Sequence, residues 1–512
     1  MPQMLAKTFS TALLGIDAYV VEVEVDVVRF GDRTVVVGLP DAAIKESLDR
    51  VRSAISNSGY FLPKNAFVVN LAPADIRKEG PSFDLPIAVG MLICDNQIDG
   101  QRVRKYALSG ELALDGNVRP VKGCLSMAME CKRAGMDGLI LPHENAREAA
   151  VVTGLDVIPV RNLAEAVGFI SGQLDIRPEQ VDLDAMFYEG NQDGLDFTDV
   201  KGQEHVKRAL VVAAAGHHNI LMVGPPGSGK TMLAKRMPTV LPALTQQEAL
   251  ETTRVHSVAG LLPPGRSLIV TRPFRSPHHT SSSAALVGGG SIPRPGEVSL
   301  AHKGVLFLDE FPEFSRQALE TLRQPLEDGT VTIARAAMRL TFPAEIMLIA
   351  AMNPCPCGFR DDPRHQCTCT PYDIQRYESK ISGPLLDRID IHASVPAVEY
   401  RDLRSNQDGL SSSDIRDMVT AARNRQSARF HGSRITANAM MTPKMIKQHC
   451  KLDSACESLL ERAMDSLGLS ARAYTRILKV SRTIADLDDC DNIAPQHVSE
   501  AINYRDFDRH RG

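Results

Sequence analysis

Eight consecutive residues of this chain have the types and spacing of a phosphate-binding loop. A short apolar segment, residues 219–223, precedes them, and a segment of helical composition follows. The glycines let the backbone curl so that its N–H groups point at phosphate oxygens, and the helix N-terminus adds its positive dipole end. The pattern G-x-x-x-x-G-K-[ST] in this strand–loop–helix setting therefore predicts a nucleotide site. Its residues are Gly224, Pro225, Pro226, Gly227, Ser228, Gly229, Lys230 and Thr231.

Two side chains of this loop and two further along the chain predict the chemistry of the site. We expect Lys230 to neutralise the β- and γ-phosphates and the Thr231 hydroxyl to ligate Mg²⁺. Residues 305–308 predict a buried parallel strand, and Asp309 and Glu310 follow it, at the end where open α/β sheets bind ligands. Asp309 suits an outer-sphere or water-mediated contact to Mg²⁺, and Glu310 suits polarisation of the attacking water. The predicted cofactors are ATP and Mg²⁺.

A third apolar segment, residues 345–352, predicts another strand and ends at Asn353. The Asn353 amide is a suitable group for orienting water near the γ-phosphate. Asparagine is also common at strand ends because its side chain forms local turn hydrogen bonds. Both interpretations stay open on the sequence alone.

Four of the ten cysteines form two C-x-C pairs, Cys355 with Cys357 and Cys367 with Cys369. Four thiolates so close in sequence can surround Zn²⁺ tetrahedrally, which would make the ion structural. A spacing of one residue within each pair is tighter than the usual two to four, and His365 could replace one cysteine. Reduced thiols without a metal are the alternative.

Composition limits the class of protein. The chain has 512 residues, is 43% hydrophobic and has a net charge of -4, values that fit a soluble protein of about three domains. With no Trp and 5% aromatic residues, any nucleic-acid contact requires a local basic surface rather than a wall of stacking side chains. The apolar run at residues 85–94 is too short to span a bilayer. The cysteine distribution fits reduced thiols, and we expect a cytoplasmic protein without membrane contacts.

Periodicity divides the chain into an α/β block at residues 1–172, an acidic, aperiodic linker at 173–194, a second α/β block at 195–400 and amphipathic helices at 414–512. The predicted fold class is therefore α/β with a helical C-terminal region. Predicted strands of the first block cover residues 19–30, 33–37, 66–71 and 138–141, and predicted helices cover 42–58, 122–134 and 144–153. The predicted C-terminal helices cover residues 414–430, 442–449, 454–467, 471–487 and 495–504.

In this order the motifs resemble those of AAA+ ATPases. GPPGSGKT, LFLDE and AAMNP resemble Walker A, Walker B and sensor 1, while Arg388 in GPLLDRID resembles an arginine finger and Arg472 in SARAYTR resembles sensor 2. The intervening segments RPFRSPHHTSSSAALVGGG and NPCPCG are similar to the magnesium-chelatase-like branch. Nearly the whole chain resembles the bacterial ComM/YifB family.

This resemblance implies a homo-oligomer, a hexameric ring with nucleotide sites at the subunit joints. It implies that Arg388 reaches the γ-phosphate of the neighbouring subunit and that Arg472 acts within its own subunit from a helical lid. An arginine between two aspartates can instead form an intrachain salt bridge, and arginine is common on helix surfaces. Both alternatives stay open.

A Gly/Pro/Ser-rich insert and a hairpin also resemble parts of this branch. The insert, similar to the helix-2 insert of chelatase and MCM-helicase relatives, contains His278 and His279, which are metal-ligand types but as adjacent residues seldom converge on one ion. Residues 327–342 predict a β-hairpin carrying Arg335 and Arg339. In relatives such hairpins project into the ring pore, so the two arginines would contact DNA. A solvated hairpin without a ligand is the alternative.

The N-terminal block is similar to the proteolytic domain of Lon proteases, which uses a Ser-Lys dyad. Ser82 falls at the nucleophile position, but Leu125 occupies the place of the lysine, and Lys122 lies three residues earlier. A serine without a positioned base is a weak nucleophile. We therefore expect a non-catalytic, ribosomal-S5-like or Lon-like scaffold.

The family resemblance implies an ATP-dependent DNA motor. Its expected form is a hexameric helicase acting on single-stranded or branched DNA and promoting branch migration when incoming DNA recombines in natural transformation. A chelatase-type ATPase that remodels a protein partner is the main alternative. A peptidase that uses Ser82 is the third hypothesis, and it lacks its lysine.

Overall fold

The computed structural model describes residues 5–28, 34–62, 66–189, 194–263, 265–290, 293–335, 338–360, 362, 364–398 and 409–505. The chain forms two compact units. The first unit comprises Met1–Glu189 with Ala249–Ile269, and the second comprises Gly190–Glu248 with Val270–Gly512. Residues 249–269, which lie inside the predicted second block, thus belong to the first compact unit.

A seven-stranded mixed sheet forms the centre of the first unit, with strand order β3-β4-β2-β1-β5-β8-β9. Strands β1 and β2 pair antiparallel from Leu5 with Asp26 to Leu14 with Asp17. The alternation of valine with acidic residues in β2 buries Val21, Val23 and Val25, as expected for a strand with one face on a core. The seven strands of this sheet are β1 Leu5–Leu14, β2 Asp17–Val28, β3 Val35–Val37, β4 Ala66–Ala72, β5 Tyr106–Leu108, β8 Gly138–Pro142 and β9 Asp156–Val160, and β6 Glu111–Leu112 pairs with β7 Val118–Arg119 in a separate two-stranded sheet.

The helices of the first unit cover this sheet. The longest apolar run of the block forms a helix that is buried along its whole length, so its hydrophobicity is explained by the domain core. Within the segment predicted to be an irregular linker, the structure has a short helix at Leu183–Glu189. The helices are α1 Ala42–Asn57, α2 Asp84–Cys94, α3 Cys124–Arg133, α4 His143–Ala149, α5 Leu163–Ile170 and α6 Leu183–Glu189.

A five-stranded parallel sheet forms the centre of the second unit, with strand order β11-β14-β17-β10-β18. Strand β10 lies between β17 and β18, so the loop that follows β10 is flanked by the ends of two neighbouring strands. Its strands are short and apolar, as expected for a parallel sheet covered on both faces. The strands of this unit are β10 Ile220–Val223, β11 Phe274–Arg275, β12 Gly288–Gly289, β13 Arg294–Pro295, β14 Val305–Leu308, β15 Thr330–Arg335, β16 Met338–Pro343, β17 Met347–Met352 and β18 Ile391–Ser394.

Helices surround this sheet and continue into a C-terminal helical group. Two of the predicted C-terminal helices, Ser454–Leu467 and Ala471–Leu487, have the bounds expected from the sequence. The helices of the second unit are α7 Glu204–Gly216, α8 Lys230–Val240, α10 Ser283–Val287, α11 Glu297–Leu300, α12 Arg316–Thr321, α13 Arg323–Asp328, α14 Pro371–Glu378, α15 Gly383–Leu386, α16 Ser412–Arg429, α17 Pro443–His449, α18 Ser454–Leu467, α19 Ala471–Leu487 and α20 Pro495–Asn503. Helix α9, Gln246–Ala259, begins in the second unit and belongs to the first unit from Ala249 onward.

These elements confirm the predicted mixed α/β class with a helical C-terminal region. The predicted hairpin is confirmed as the antiparallel pair β15–β16. The domain boundaries predicted at residues 172, 194, 400 and 414 stay predictions, and residue 400 lies outside the described residues. Within the described ranges, every helix is too short or too polar to cross a membrane.

Candidate active site

The phosphate-binding loop follows β10 at the carboxyl edge of the parallel sheet, as its sequence predicts. Gly224 packs so closely on β18 that a Cβ atom there would lie 2.1 Å from the carbonyl oxygen of Val395. Gly227 and Gly229 have φ angles of 74° and 87°, which glycine adopts without strain. Helix α8 begins at Lys230, immediately after the loop. The sheet and helix therefore hold the loop in the geometry that cradles phosphate.

The Lys230 ammonium group lies inside this loop. Its Nζ atom donates to the carbonyl oxygens of Gly224 at 2.7 Å and Pro225 at 2.9 Å, and lies 3.4 Å from both Ser228 Oγ and Asn353 Oδ1. Burial lowers the pKa of Lys230, while the charge of Asp309 opposes that shift. The structure thus brings Lys230, at the start of α8, close to Asn353, which directly follows β17.

Thr231 and Asp309 meet at the same edge. The Thr231 hydroxyl donates to Asp309 Oδ2 at 2.8 Å, and Asp309 Oδ1 accepts from the backbone N–H of Glu310 at 3.0 Å. A hydroxyl and a carboxylate oxygen are the donor types that Mg²⁺ takes from proteins beside nucleotide phosphates. The residues present therefore fit the predicted magnesium site.

Glu310 is held by a residue that the sequence analysis did not connect with it. Its backbone is left-handed, with φ of 51°, and its Oε2 atom lies 2.8 Å from Nδ1 of His279. The His279 ring also stacks on His278, with centroids 4.1 Å apart. His279 stands out in the sequence only as a metal-ligand type. No spacing rule relates it to Glu310, because the contact depends on the path of the insert.

Gln203 is a second site residue that the sequence analysis missed. Its Nε2 atom donates to the carbonyl oxygens of Ser228 at 2.9 Å and Pro396 at 2.7 Å. The residue precedes α7 in a left-handed conformation, with φ of 58°. Gln203 therefore connects the phosphate-binding loop to the segment after β18 by hydrogen bonds. A glutamine just before a helix is common in sequences, so its residue type did not indicate this role.

Arg388 pairs within its own chain. Its guanidinium group forms a salt bridge with Glu327 and donates to the carbonyl oxygen of Pro384 at 2.6 Å. Hydrogen bonding and charge from Arg388 lower the pKa of Glu327. Glu327 lies near the end of α13, which leads into the hairpin. The structure thus connects the predicted arginine finger to the base of β15.

The predicted sensor 2 arginine lies on α19, facing the Arg388 segment. Arg472 is 3.4 Å from Asp387 Oδ2, and Arg476 pairs with Asp390. Asp390 also receives a hydrogen bond from His218 at 3.0 Å. Burial raises the pKa of Asp390, but the Arg476 charge and the His218 bond outweigh it and keep the pKa low. These contacts fasten the C-terminal helical group to the segment between α15 and β18, which contains Arg388.

Comparison with known proteins agrees with this geometry. The family described as magnesium chelatase, subunit ChlI, matches residues 196–403, a second ChlI description matches residues 23–145, and the ChlI C-terminal description matches residues 409–505. The competence protein ComM of Haemophilus influenzae is 44% identical over 98% of this chain and 97% of its own. The chain belongs to the ComM/YifB family. The YifB protein of Escherichia coli is 42% identical over 97% of this chain and 96% of its own.

Membership of this magnesium-chelatase-like AAA+ family implies an ATPase that uses ATP and Mg²⁺. A shorter match also links this family member to the magnesium-chelatase 67 kDa subunit of Chlorobaculum parvum, which is 25% identical over 31% of this chain and 23% of its own. The roles of the individual site residues stay predictions.

In this ComM/YifB-family chain the four predicted cysteine ligands converge. Cys355 Sγ lies 3.3 Å from Cys357 Sγ and 3.7 Å from Cys367 Sγ, and the sulfurs of Cys357 and Cys367 are 3.6 Å apart. All four sulfurs, including that of Cys369, lie within 4.8 Å of one another. His365 instead contacts Asp362 at 3.6 Å, so the donor set that the structure assembles is four thiols.

The hairpin presents one of its two arginines to solvent. In the β15–β16 register, Ala334 pairs with Arg339 and Arg335 pairs with Met338. The Arg339 side chain is exposed. The side chain of Arg335 lies outside the described part of the chain, so only its backbone position is known. The DNA-binding role predicted for both residues stays a prediction.

The first unit places the predicted serine dyad residues in very different surroundings. Ser82 is partly exposed just before α2, and its carbonyl oxygen accepts from the N–H of Gly110 at 2.9 Å. Leu125 is fully buried, and its N–H donates to Glu148 at 2.8 Å. Lys122 is exposed, next to Gly260. The position predicted for the base thus holds an apolar core residue.

Proposed function

We propose that this chain is an ATP-driven DNA motor. The observation that carries the ATPase part is the convergence of Lys230, Thr231, Asp309 and Asn353 at the carboxyl edge of one parallel sheet. Open α/β sheets bind ligands at this edge. The side chains that meet there supply a cation for phosphate, oxygen ligands for Mg²⁺ and an amide for water.

Each residue has a separate task in the proposed reaction. Lys230 neutralises charge on the β- and γ-phosphates, and Thr231 with Asp309 would hold Mg²⁺, which supplies further charge neutralisation there. Glu310 orients and polarises the attacking water, and Asn353 holds that water near the γ-phosphate. Because Glu310 is paired with His279, it must exchange that partner for the water before hydrolysis.

We propose that nucleotide sites lie between subunits of a hexameric ring. Arg388 would then exchange its Glu327 partner for the γ-phosphate bound by the neighbouring subunit, as arginine fingers do. Arg472 would act on the nucleotide of its own subunit from α19. Support comes from the family to which the chain belongs.

DNA is the proposed substrate of the motor. The related Haemophilus influenzae protein is named for competence, and the exposed Arg339 of the hairpin is suited to phosphate contact. Six copies of Arg335 and Arg339 around a pore would concentrate positive charge locally, although each subunit has a net charge of -4. We infer that such a ring migrates branched recombination intermediates, including those formed by incoming DNA in natural transformation.

The test compares ATPase rates without DNA and with single-stranded, duplex and branched DNA. We expect branched or single-stranded DNA to raise the rate, and Arg339→Ala to weaken both this stimulation and the salt dependence of DNA binding. Arg434→Ala is the matched control, since Arg434 is an exposed arginine of the same unit away from the hairpin. Equal rates with and without every DNA would favour an ATPase that remodels a protein partner.

A further inference from the structure

The four clustered cysteines have the geometry of a site for one tetrahedral metal ion. Four sulfurs that each lie about 2.3 Å from one zinc ion are about 3.8 Å from one another. The measured separations of 3.3, 3.6 and 3.7 Å are close to that value. A cluster of several irons would hold its ligand sulfurs further apart. The cage therefore fits a single thiophilic ion, and zinc is the usual occupant of such a site.

The backbone around the sulfurs supports negatively charged thiolates. The N–H of Cys357 donates to Cys369 Sγ at 3.4 Å. Such hydrogen bonds orient metal ligands and spread their charge. Cys355 is buried and the other three cysteines are partly exposed. An ion can therefore reach the four sulfurs from solvent.

The cysteine segment lies directly against the nucleotide loop. Gly358 has φ of +86°, and a Cβ atom there would lie 2.6 Å from Cδ of Pro226. The same segment begins two residues after Asn353, and the Cβ position of Gly358 lies 3.8 Å from Nδ2 of Asn353. A metal ion that holds residues 355–369 in place would therefore also hold the side of the ATP site formed by Pro226 and Asn353.

We propose that one zinc ion bound by Cys355, Cys357, Cys367 and Cys369 positions the ATP site, through the contact between Gly358 and Pro226. The cysteines are positioning residues in this scheme, because four sulfur ligands leave the ion no open coordination position for catalysis. The proposal rests on the ATP site proposed above. It predicts that ATP affinity depends on zinc even when no DNA is present.

The experiment measures zinc per chain and the affinity for a fluorescent ATP analogue on the full-length protein without DNA. We expect one zinc per chain in wild-type protein purified without chelator. The double variant Cys367→Ser/Cys369→Ser should lose zinc and bind the analogue about tenfold more weakly. Cys490→Ser, a partly exposed cysteine outside the cluster, is the matched control and should keep both. Chelation of wild-type protein, followed by zinc addition, should lower and restore affinity, which decides the matter if the double variant fails to fold.

A second variant separates zinc binding from its effect on the ATP site. Gly358→Ala should keep zinc but bind the analogue about tenfold more weakly, because the added methyl group displaces Pro226 and strains the backbone. Gly432→Ala is the control, since Gly432 has a similar φ of +79° with nothing within 4 Å of its Cβ position. Wild-type protein without zinc, or unchanged affinity in both zinc-depleted protein and Gly358→Ala, would overturn the proposal. Wild-type protein that holds zinc but binds no nucleotide would instead overturn the proposed ATP site.

Discussion

The carboxyl edge of the five-stranded sheet and the Ser82 region of the first unit both carry sequence motifs of known enzymes, but the structure completes only one of them. At the sheet edge, Lys230 lies 3.4 Å from Asn353 and Thr231 lies 2.8 Å from Asp309. In the first unit, the position predicted for the base is Leu125, fully buried in the core. A motif predicts chemistry when its partners are brought together, and the buried Leu125 keeps the prediction of a non-catalytic scaffold for the first unit.

The largest expected effect comes from the residue in the centre of the sheet edge. Lys230→Ala should abolish nucleotide binding because it removes the cation that faces the phosphates, whereas Glu310→Gln should still bind ATP and lose hydrolysis by about 10²-fold or more. Binding of a fluorescent ATP analogue and phosphate release measure the two effects. Lys235→Ala, an exposed lysine on the same helix, should behave like wild type. Wild-type turnover by Glu310→Gln would remove Glu310 from the mechanism.

Arg388→Ala should lower hydrolysis by about 10³-fold, because an arginine finger stabilises charge that develops in the transition state. Glu327→Gln, which removes the negative charge paired with Arg388, should retain hydrolysis. Mixing Arg388→Ala chains with Lys230→Ala chains should restore part of the activity. At some subunit interfaces the Arg388→Ala chain would bind ATP through its Lys230, and the Lys230→Ala chain would supply Arg388. Mixtures that stay inactive at every ratio would contradict a shared site.

A smaller change is expected at the residue that holds Glu310. His279→Ala should raise DNA-independent hydrolysis by about two- to fivefold, since it frees Glu310 from a partly exposed contact with the imidazole ring. His278→Ala is the comparison, because His278 stacks on His279 and bonds to Thr280. A rate for His279→Ala that falls to the level of Glu310→Gln would show instead that His279 holds Glu310 in its productive position.

The smallest effect is predicted in the first unit. Ser82→Ala should leave ATP hydrolysis and DNA stimulation unchanged, because Leu125 stands where a general base is needed. Casein hydrolysis by wild-type protein, followed over hours, should equal the blank. A measurable peptidase activity that disappears in Ser82→Ala would remove the contrast between the two regions.

Local patterns were sufficient to predict the helices and strands that carry the site. The phosphate-binding loop has its own spacing rule, and helices such as α18 and α19 combine periodic apolar residues with a capping residue at Asp453 or Ser470. Such signals act within a few residues of one another. They explain why the predicted bounds of these helices agree with the structure.

Contacts between distant segments could not be predicted in this way. Three contacts depend on how distant parts of the chain return to the edge of the sheet. They are the pairing of His279 with Glu310, the hydrogen bond from Gln203 to Ser228, and the packing of Gly358 on Pro226. The short helix α6 also lacks a long periodic pattern, since it has 7 residues. Burial and tertiary packing decide such features, and a single sequence carries little signal of either.

The most direct test of the proposed motor follows a labelled four-way DNA junction in the presence of ATP and Mg²⁺. We expect wild-type protein to convert the junction into duplex products, and Glu310→Gln to bind the junction without converting it. Conversion should require ATP hydrolysis and should fall in Arg339→Ala but not in Arg434→Ala. A wild-type protein that hydrolyses ATP at the same rate with and without DNA and leaves the junction intact would contradict the account.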